Sequence, residues 1–294
     1  MTVLTAAVLQ MRSGLELEAN VAALEGLVAQ AVAAGANYLQ SPEMTGMVQR
    51  DRAELMRRLS REEDDPVLAA AARLAREHGV YLHVGSTAVA LDDGKVANRA
   101  VLFAPDGSPQ ARYDKIHMFD VDLDNGESWR ESRTYRPGEC AALADLNFGD
   151  GTARLGFAVC YDMRFPHLFR EEALAGAEIL TAPAAFTRQT GEAHWHVLLR
   201  ARAIENGAYV VAAAQGGMHE DGRETYGHSL IVDPWGRIVA EVDGDSPGIA
   251  VARIDTAEVA AARAKIPNLK NARSFRVGED GESVAVTGAL EAAE

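Results

Sequence analysis

Cysteine is almost missing from this sequence: only Cys140 and Cys160 occur among 294 residues. Two thiols cannot build a disulfide framework, and they lack the paired spacing of a zinc site. Each cysteine therefore needs its own explanation. Basic residues are outnumbered too, 29 against 43 acidic ones, which leaves a formal net charge of −14. A chain of that sign is a poor partner for nucleic acid or anionic lipid, so neither is expected to bind it. No apolar stretch approaches the roughly 20 residues that cross a bilayer. After Met1 and Thr2, the short run VLTAAVL has neither the basic flank nor the long apolar core of a secretory signal. A cytoplasmic protein is the expectation. Linkers, repeats and low-complexity tracts are also missing, so residues 1–276 read as one domain. Residues 277–294, acidic and Gly/Ala-rich, read as a tail with little core potential.

What is present is a hydrophobic content of 48%, ample for a large core. Short β-branched runs alternate with helical patterns, which predicts an α/β fold. Residues 3–9 read as a strand, and Leu17, Val21, Leu24, Val28 and Val32 then mark one face of a helix ending near Gly35. A strand at 38–40 leads to Glu43, Asp65-Pro66 opens a helix running to Gly79, and 80–86 is the next strand. Pro105-Asp106-Gly107 separates two extended runs, 97–104 and 109–114, as a hairpin turn would, and Lys115 follows the second arm. Strands at 154–159, 178–183 and 209–214 alternate with helices near 166–175 and 192–206. Short strands at 226–232, 237–243 and 248–254 precede a helix at 256–264.

Cys160 stands where an apolar strand, RLGFAV, stops and a helix is about to start. That position projects a side chain at the carboxyl end of a sheet, with backbone N–H groups such as that of Tyr161 available to a developing oxyanion. A small buried core thiol would fit the same position. A thiol that attacks a carboxamide needs a base to take its proton and a cation to steady negative charge. Glu43, in SPEMTG, and Lys115, in RYDKIHMFDVD, each follow a strand. Singly, each is better described in bland terms, Glu43 as an exposed loop carboxylate and Lys115 as a solvent-facing lysine. Together, three strand-end positions carrying a carboxylate, an amine and a thiol would converge on one edge of a sheet system.

SPEMTG, YDKIHMFDVD and GFAVCYDMRFPHLF, in that order and spacing, resemble the signature elements of the nitrilase, or carbon–nitrogen hydrolase, superfamily. The similarity runs through Ile254. It implies a four-layer αββα sandwich that dimerises into an αββα–αββα assembly, with a homodimer or a higher homo-oligomer as the expected state. It implies Glu43 as general base, Lys115 as oxyanion stabiliser and Cys160 as the nucleophile that forms a thioester, without cofactor or metal. A second glutamate near the lysine is also implied. GESWRESRTYRPG offers Glu127 and Glu131, and the Glu-Ser pair before the Pro-Gly turn favours Glu131.

The stretches PAAFTRQTGEAHWHVLLRARAIENGAYVVAAAQGG and TYGHSLIVDPWG are most similar to the Nit group, which includes deaminated glutathione amidases and ω-amidases, and within it to the former. The implied substrate is a small amide that carries a carboxylate. N-Carbamoyl amino acid hydrolases of the superfamily have a substrate-binding arginine at the position of Arg164, which marks it as a carboxylate anchor; an ion pair with Asp162 is the structural alternative. Tyr161, Phe186 and Thr187 are expected to line the pocket. Competing readings are an N-carbamoyl amino acid amidohydrolase, a nitrilase proper and a non-catalytic scaffold; true nitrilases carry Trp where this chain has Tyr161. His194, Trp195 and His196 lack the helical spacing of a metal site, and Arg200, Arg202 and Glu205 read as an ion-pair set.

Overall fold

Residues 2–123, 126, 128–149 and 151–275 are described in a computed structural model of the chain; Glu127 and the tail 277–294 lie outside the described residues. In chain order, the first half forms β1 (Val3–Gln10), α1 (Leu17–Ala33), β2 (Tyr38–Gln40), α2 (Arg52–Arg58), α3 (Pro66–His78) and β3 (Tyr81–Ala90). The hairpin β4 (Val96–Phe103) and β5 (Pro109–Asp114) and the small hairpin β6 (Asp120–Asp122) and β7 (Ser128–Arg130) follow. The second half forms β8 (Leu143–Phe148), β9 (Gly151–Gly156), α4 (Pro166–Leu174), β10 (Ile179–Thr181), α5 (Arg188–Asn206) and β11 (Tyr209–Ala212). The hairpin β12 (Gly216–Met218) and β13 (Glu224–Tyr226), then β14 (Leu230–Val232), β15 (Ile238–Glu241), β16 (Gly248–Asp255) and α6 (Thr256–Lys265), complete it.

The strands join into two six-stranded mixed sheets, in the orders β16-β1-β2-β3-β4-β5 and β15-β14-β11-β10-β9-β8. β1 shows why the layers stack as they do. Its side chains alternate between faces, yet both faces are apolar: Leu4, Ala6 and Val8 pack towards the second sheet, whereas Ala7 and Leu9 meet the helices. A strand buried on both sides needs such a continuous apolar run. On the helix side Leu24 and Val28 of α1 and Leu68, Ala71 and Leu74 of α3 complete the core. On the far side Phe169 of α4 and Trp195 and Leu199 of α5 pack on Leu155, Leu180 and Val211. The result is the four-layer αββα sandwich that the resemblance implies.

Local signals decide the helix ends. Asp65 accepts the backbone N–H groups of Val67 and Leu68, Pro66 occupies the first turn, and Gly79 ends α3 at φ 64°. The expected strand at 226–232 is in fact divided: β13 stops at Tyr226 and β14 starts at Leu230. Gly227 and His228 between them take positive φ, 75° and 55°. The two pieces serve different pairings, β13 with β12 and β14 with β11 and β15. α5 begins at Arg188, four residues before the periodicity becomes readable. The reason is Gly191 in its first turn, where a methyl group would stand 2.3 Å from Cβ of Tyr226. Among the described residues no helix is long and apolar enough to cross a membrane.

Candidate active site

Glu43 leaves the end of β2 in a tight, buried turn. Ser41 N–H continues the strand pairing to the His83 carbonyl at 2.9 Å, and the Ser41 and Thr45 hydroxyls bond at 2.7 Å. Gly85 on the neighbouring β3 permits this approach: a methyl group there would lie 2.1 Å from the Ser41 carbonyl oxygen and 2.4 Å from Pro183 Cβ. The Glu43 carboxylate is 4% exposed as a residue and fully engaged. Its Oε1 accepts Lys115 Nζ at 3.1 Å and Asn98 Nδ2 at 2.9 Å, and its Oε2 accepts the Ala185 N–H at 2.8 Å.

Lys115 is the first residue past β5. Its N–H bonds to the Asn98 carbonyl at 3.0 Å and its own carbonyl accepts Gly138 N–H at 2.8 Å, so the backbone is held on both sides. The ammonium reaches Glu131 Oε1 and Oε2 at 3.0 and 2.9 Å as well as Glu43. Glu131 lies in a 3-10 turn after β7 and is fixed by the Phe119 N–H at 2.7 Å and Asn98 Nδ2 at 3.2 Å. The outcome is a buried ammonium between two carboxylates, with Asn98 bonded to both.

β9 ends at Gly156, and Phe157, Ala158 and Val159 carry the chain inward to Cys160, which is 7% exposed and adopts φ 51°. A residue with a Cβ rarely occupies that region without being held there. Two anchors hold it. Cys160 N–H bonds to the Pro183 carbonyl at 2.8 Å. Asp162, fully buried, accepts Val159 N–H at 2.9 Å, Tyr113 hydroxyl at 2.7 Å, and both His117 N–H and Nδ1 at 2.9 and 2.7 Å. The thiol so presented shares the cavity with Glu43 and Lys115, whose charges both act on it.

Burial pushes the Cys160 thiol well above its usual range, and the neighbouring Glu43 charge adds to the effect against the opposing pull of Lys115. Burial acts most strongly, to raise the Glu43 carboxyl, but the Lys115 charge and the hydrogen bonds to the carboxylate together outweigh it and hold the group below its ordinary value. Lys115 is lifted well above its ordinary value by Glu131 and Glu43, against burial. The resting cluster is a neutral thiol, two carboxylates and an ammonium. That distribution suits a base that removes the thiol proton as the sulfur attacks, rather than a preformed thiolate.

These groups open into a cavity of about 260 Å³ whose walls include Tyr161, Phe186 and Thr187. Arg164 is not part of that lining. Its guanidinium turns to His194 Nδ1 at 3.3 Å and packs over the rings of Phe186 at 5.2 Å and Tyr161 at 6.0 Å, two residues of the wall. The alternative partner, Asp162, is already occupied by Val159, Tyr113 and His117. Arg202 does pair with Glu205 at 2.7 Å, whereas Arg200 bonds to the Gly236 carbonyl. Sequence reading missed Asn98, which looks like any polar interruption of a strand, and the arginines of the rim. Arg50, Arg52, Arg130 and Arg223 all line the cavity. Only a count of basic side chains against the net charge of −14 hints at them, and nothing local does.

A four-layer sandwich with a buried carboxylate–ammonium cluster at the strand ends defines a carbon–nitrogen hydrolase. The chain matches the carbon-nitrogen hydrolase family over residues 5–264 and belongs to it; it is an amide-hydrolysing enzyme. Over 270 residues it is 40% identical to deaminated glutathione amidase of Yersinia enterocolitica, covering 91% of this chain and 92% of the relative. It is 39% identical over 283 residues to the Homo sapiens protein of that name, with 95% and 85% covered. Among solved structures, the C. elegans NitFhit protein superposes with a TM-score of 0.83 at 34% identity, over 92% of this chain and 65% of that longer one. An amidase from Nesterenkonia sp., with a TM-score of 0.74 at 26% identity over 90% and 95%, carries the acetamide moiety of fluoroacetamide at its active-site cysteine in a mutant form.

Proposed function

We propose that the enzyme releases ammonia from a small, carboxylate-bearing amide of the deaminated glutathione type, by way of a thioester on Cys160. The observation that carries the mechanism is the meeting of Cys160, Glu43 and Lys115 in one cavity, with Glu43 paired to Lys115 at 3.1 Å. Cys160 Sγ bonds to the amide carbon while its proton passes to Glu43; Lys115 and the Tyr161 N–H take the oxyanion. Glu43 returns the proton to nitrogen as the C–N bond breaks and ammonia leaves. Glu43 then deprotonates a water, positioned with the help of Glu131, which attacks the thioester carbon. The C–S bond breaks, the proton returns to sulfur, and a carboxylic acid leaves. No step needs a cofactor.

Arg223 supports the substrate class. Its guanidinium lies 4.5 Å over the Trp129 ring, with Arg50 at 5.9 Å from the same ring, and its shielded Nε has no hydrogen-bond partner among the described residues. The guanidinium lines the cavity, and its ion-pair partner Asp221 stands 3.8 Å away, too far to hydrogen-bond, so it can meet a substrate carboxylate. With Arg223→Gln, KM for deaminated glutathione should rise about 10- to 100-fold, as a lost charge-assisted bond predicts. KM for a small neutral amide should stay the same. Equal effects on both amides would remove the carboxylate assignment.

We also infer a homodimer through the α4–α5 face, supported by the exposed apolar side chains of Leu174, Val197 and Ile204. Sedimentation at micromolar concentration should show twice the chain mass; a monomer there would refute it.

A further inference from the structure

The sequence sets His196 beside His194, but the fold separates them. His194 faces Arg164, while His196 of α5 meets His228, in the turn between β13 and β14, and Glu241 at the end of β15. His196 Nε2 and His228 Nδ1 each lie 2.8 Å from the same Glu241 oxygen, and all three atoms fall within 4.8 Å of one another. We propose that His196, His228 and Glu241 form a site for a divalent transition-metal ion of the zinc class, one tryptophan away from the catalytic cavity.

The chemistry of the donors fits. Two imidazole nitrogens and one carboxylate oxygen are a recognised zinc set that leaves a fourth position for water. Around such an ion, tetrahedral ligand atoms stand about 3.3 Å apart, given bonds of about 2.0–2.1 Å. The two 2.8 Å separations therefore need to open by only about half an ångström. The three side chains are 29%, 21% and 28% exposed, which leaves an entry path.

The backbone supports the same reading. His228 holds φ 55°, a conformation that costs energy for a residue with a Cβ. It is kept there by its N–H to the Gly244 carbonyl at 3.0 Å and by its carbonyl, which accepts Trp195 Nε1 at 2.8 Å. Its ring is stacked on Tyr226 with centroids 4.4 Å apart. Strain, stacking and two backbone bonds thus aim one imidazole at a carboxylate that another imidazole already meets. The indole of Trp195, which fixes that turn, packs against Phe186 of the cavity wall at 5.3 Å.

The test is titration of the chelator-treated full chain with Co(II), followed by its visible absorption, and with Zn(II) by calorimetry. Wild type should take one equivalent of each, and Cys140→Ser and Cys160→Ser should do the same. His196→Ala, His228→Ala and Glu241→Gln should each bind at least about tenfold more weakly, with unchanged circular dichroism and unchanged metal-free turnover. Turnover retained in those variants shows that any loss of metal is local. No stoichiometric binding by wild type, equal binding by the three variants, or loss only in a cysteine variant would overturn the site. None of these results bears on the amidase reading, which is tested by substrate.

Discussion

Replacing Cys160 by alanine is expected to slow amide turnover by at least about 10⁴-fold, the scale on which loss of a covalent nucleophile is felt, while the chain stays folded. Cys140, the other thiol, is exposed and is not part of the cavity lining. The substitution deletes one atom, and alanine meets the same left-handed backbone demand as cysteine, so stability should change by only about 1 kcal/mol. With a slowly hydrolysed amide, wild type should accumulate one covalent acyl label by intact mass, and peptide mapping should place it on Cys160. Near-wild-type turnover by C160A, or a label confined to Cys140, would end the thioester mechanism.

How far the site could be read without coordinates depended on what each residue owes to its neighbours in sequence. Lys115 follows β5 directly, and Glu43 and Cys160 stand within four residues of the ends of β2 and β9, so their place at a sheet edge was legible from periodicity and turn chemistry alone. Their meeting was not. It depends on β2 and β5 lying in one sheet and β9 in the other, a long-range pairing that no local pattern encodes. Glu131 could be preferred to Glu127 only by resemblance; its four hydrogen bonds to Lys115, Asn98 and Phe119 come from the 3-10 turn after β7, too short to announce itself.

The differences between sequence and fold have the same origin. Arg164 is four residues from Cys160, and along a strand or in a loop that closeness would suggest a shared pocket. At the end of a 3-10 turn, it packs instead on Phe186 and Tyr161 and is not part of the cavity lining. Residues 226–232 read as one strand because Leu230, Ile231 and Val232 dominate the window, whereas Gly227 and His228 break the run in the left-handed region. Arg223 belongs to no pattern at all. It becomes visible only when the β12–β13 hairpin brings it against Trp129. Local propensity reports the elements; the polar groups that discriminate substrates are placed by tertiary contacts.

Lys115→Met should abolish turnover and also remove about 3–5 kcal/mol of stability, the cost of breaking a buried ion pair and leaving its partners uncompensated. The ammonium is 2% exposed and lies between Glu43 and Glu131 at 3.1 and 2.9 Å. Its withdrawal leaves two carboxylates sharing a buried site. In wild type the signs run in opposite senses. Lys115 is raised, so its contribution is complete below its ordinary value of 10.5 and is lost only as pH climbs through the higher folded value. Glu43 is lowered, so its contribution is complete above 4.5 and is lost only as pH falls through the lower folded value. Between 4.5 and 9.0, the ordinary value of the Cys160 thiol that burial also raises, Glu43, Lys115 and Cys160 add no slope to stability. Without the cation, burial and like charge favour a proton on one carboxyl, raising its folded value, so the variant should become progressively less stable from acid to neutral pH. Adding Glu131→Gln to Lys115→Met should restore much of the loss and flatten that slope, while turnover stays absent. Denaturant midpoints across pH measure this, and a Lys115→Met chain equally stable at every pH and unaffected by Glu131→Gln would show that the three charges are not coupled.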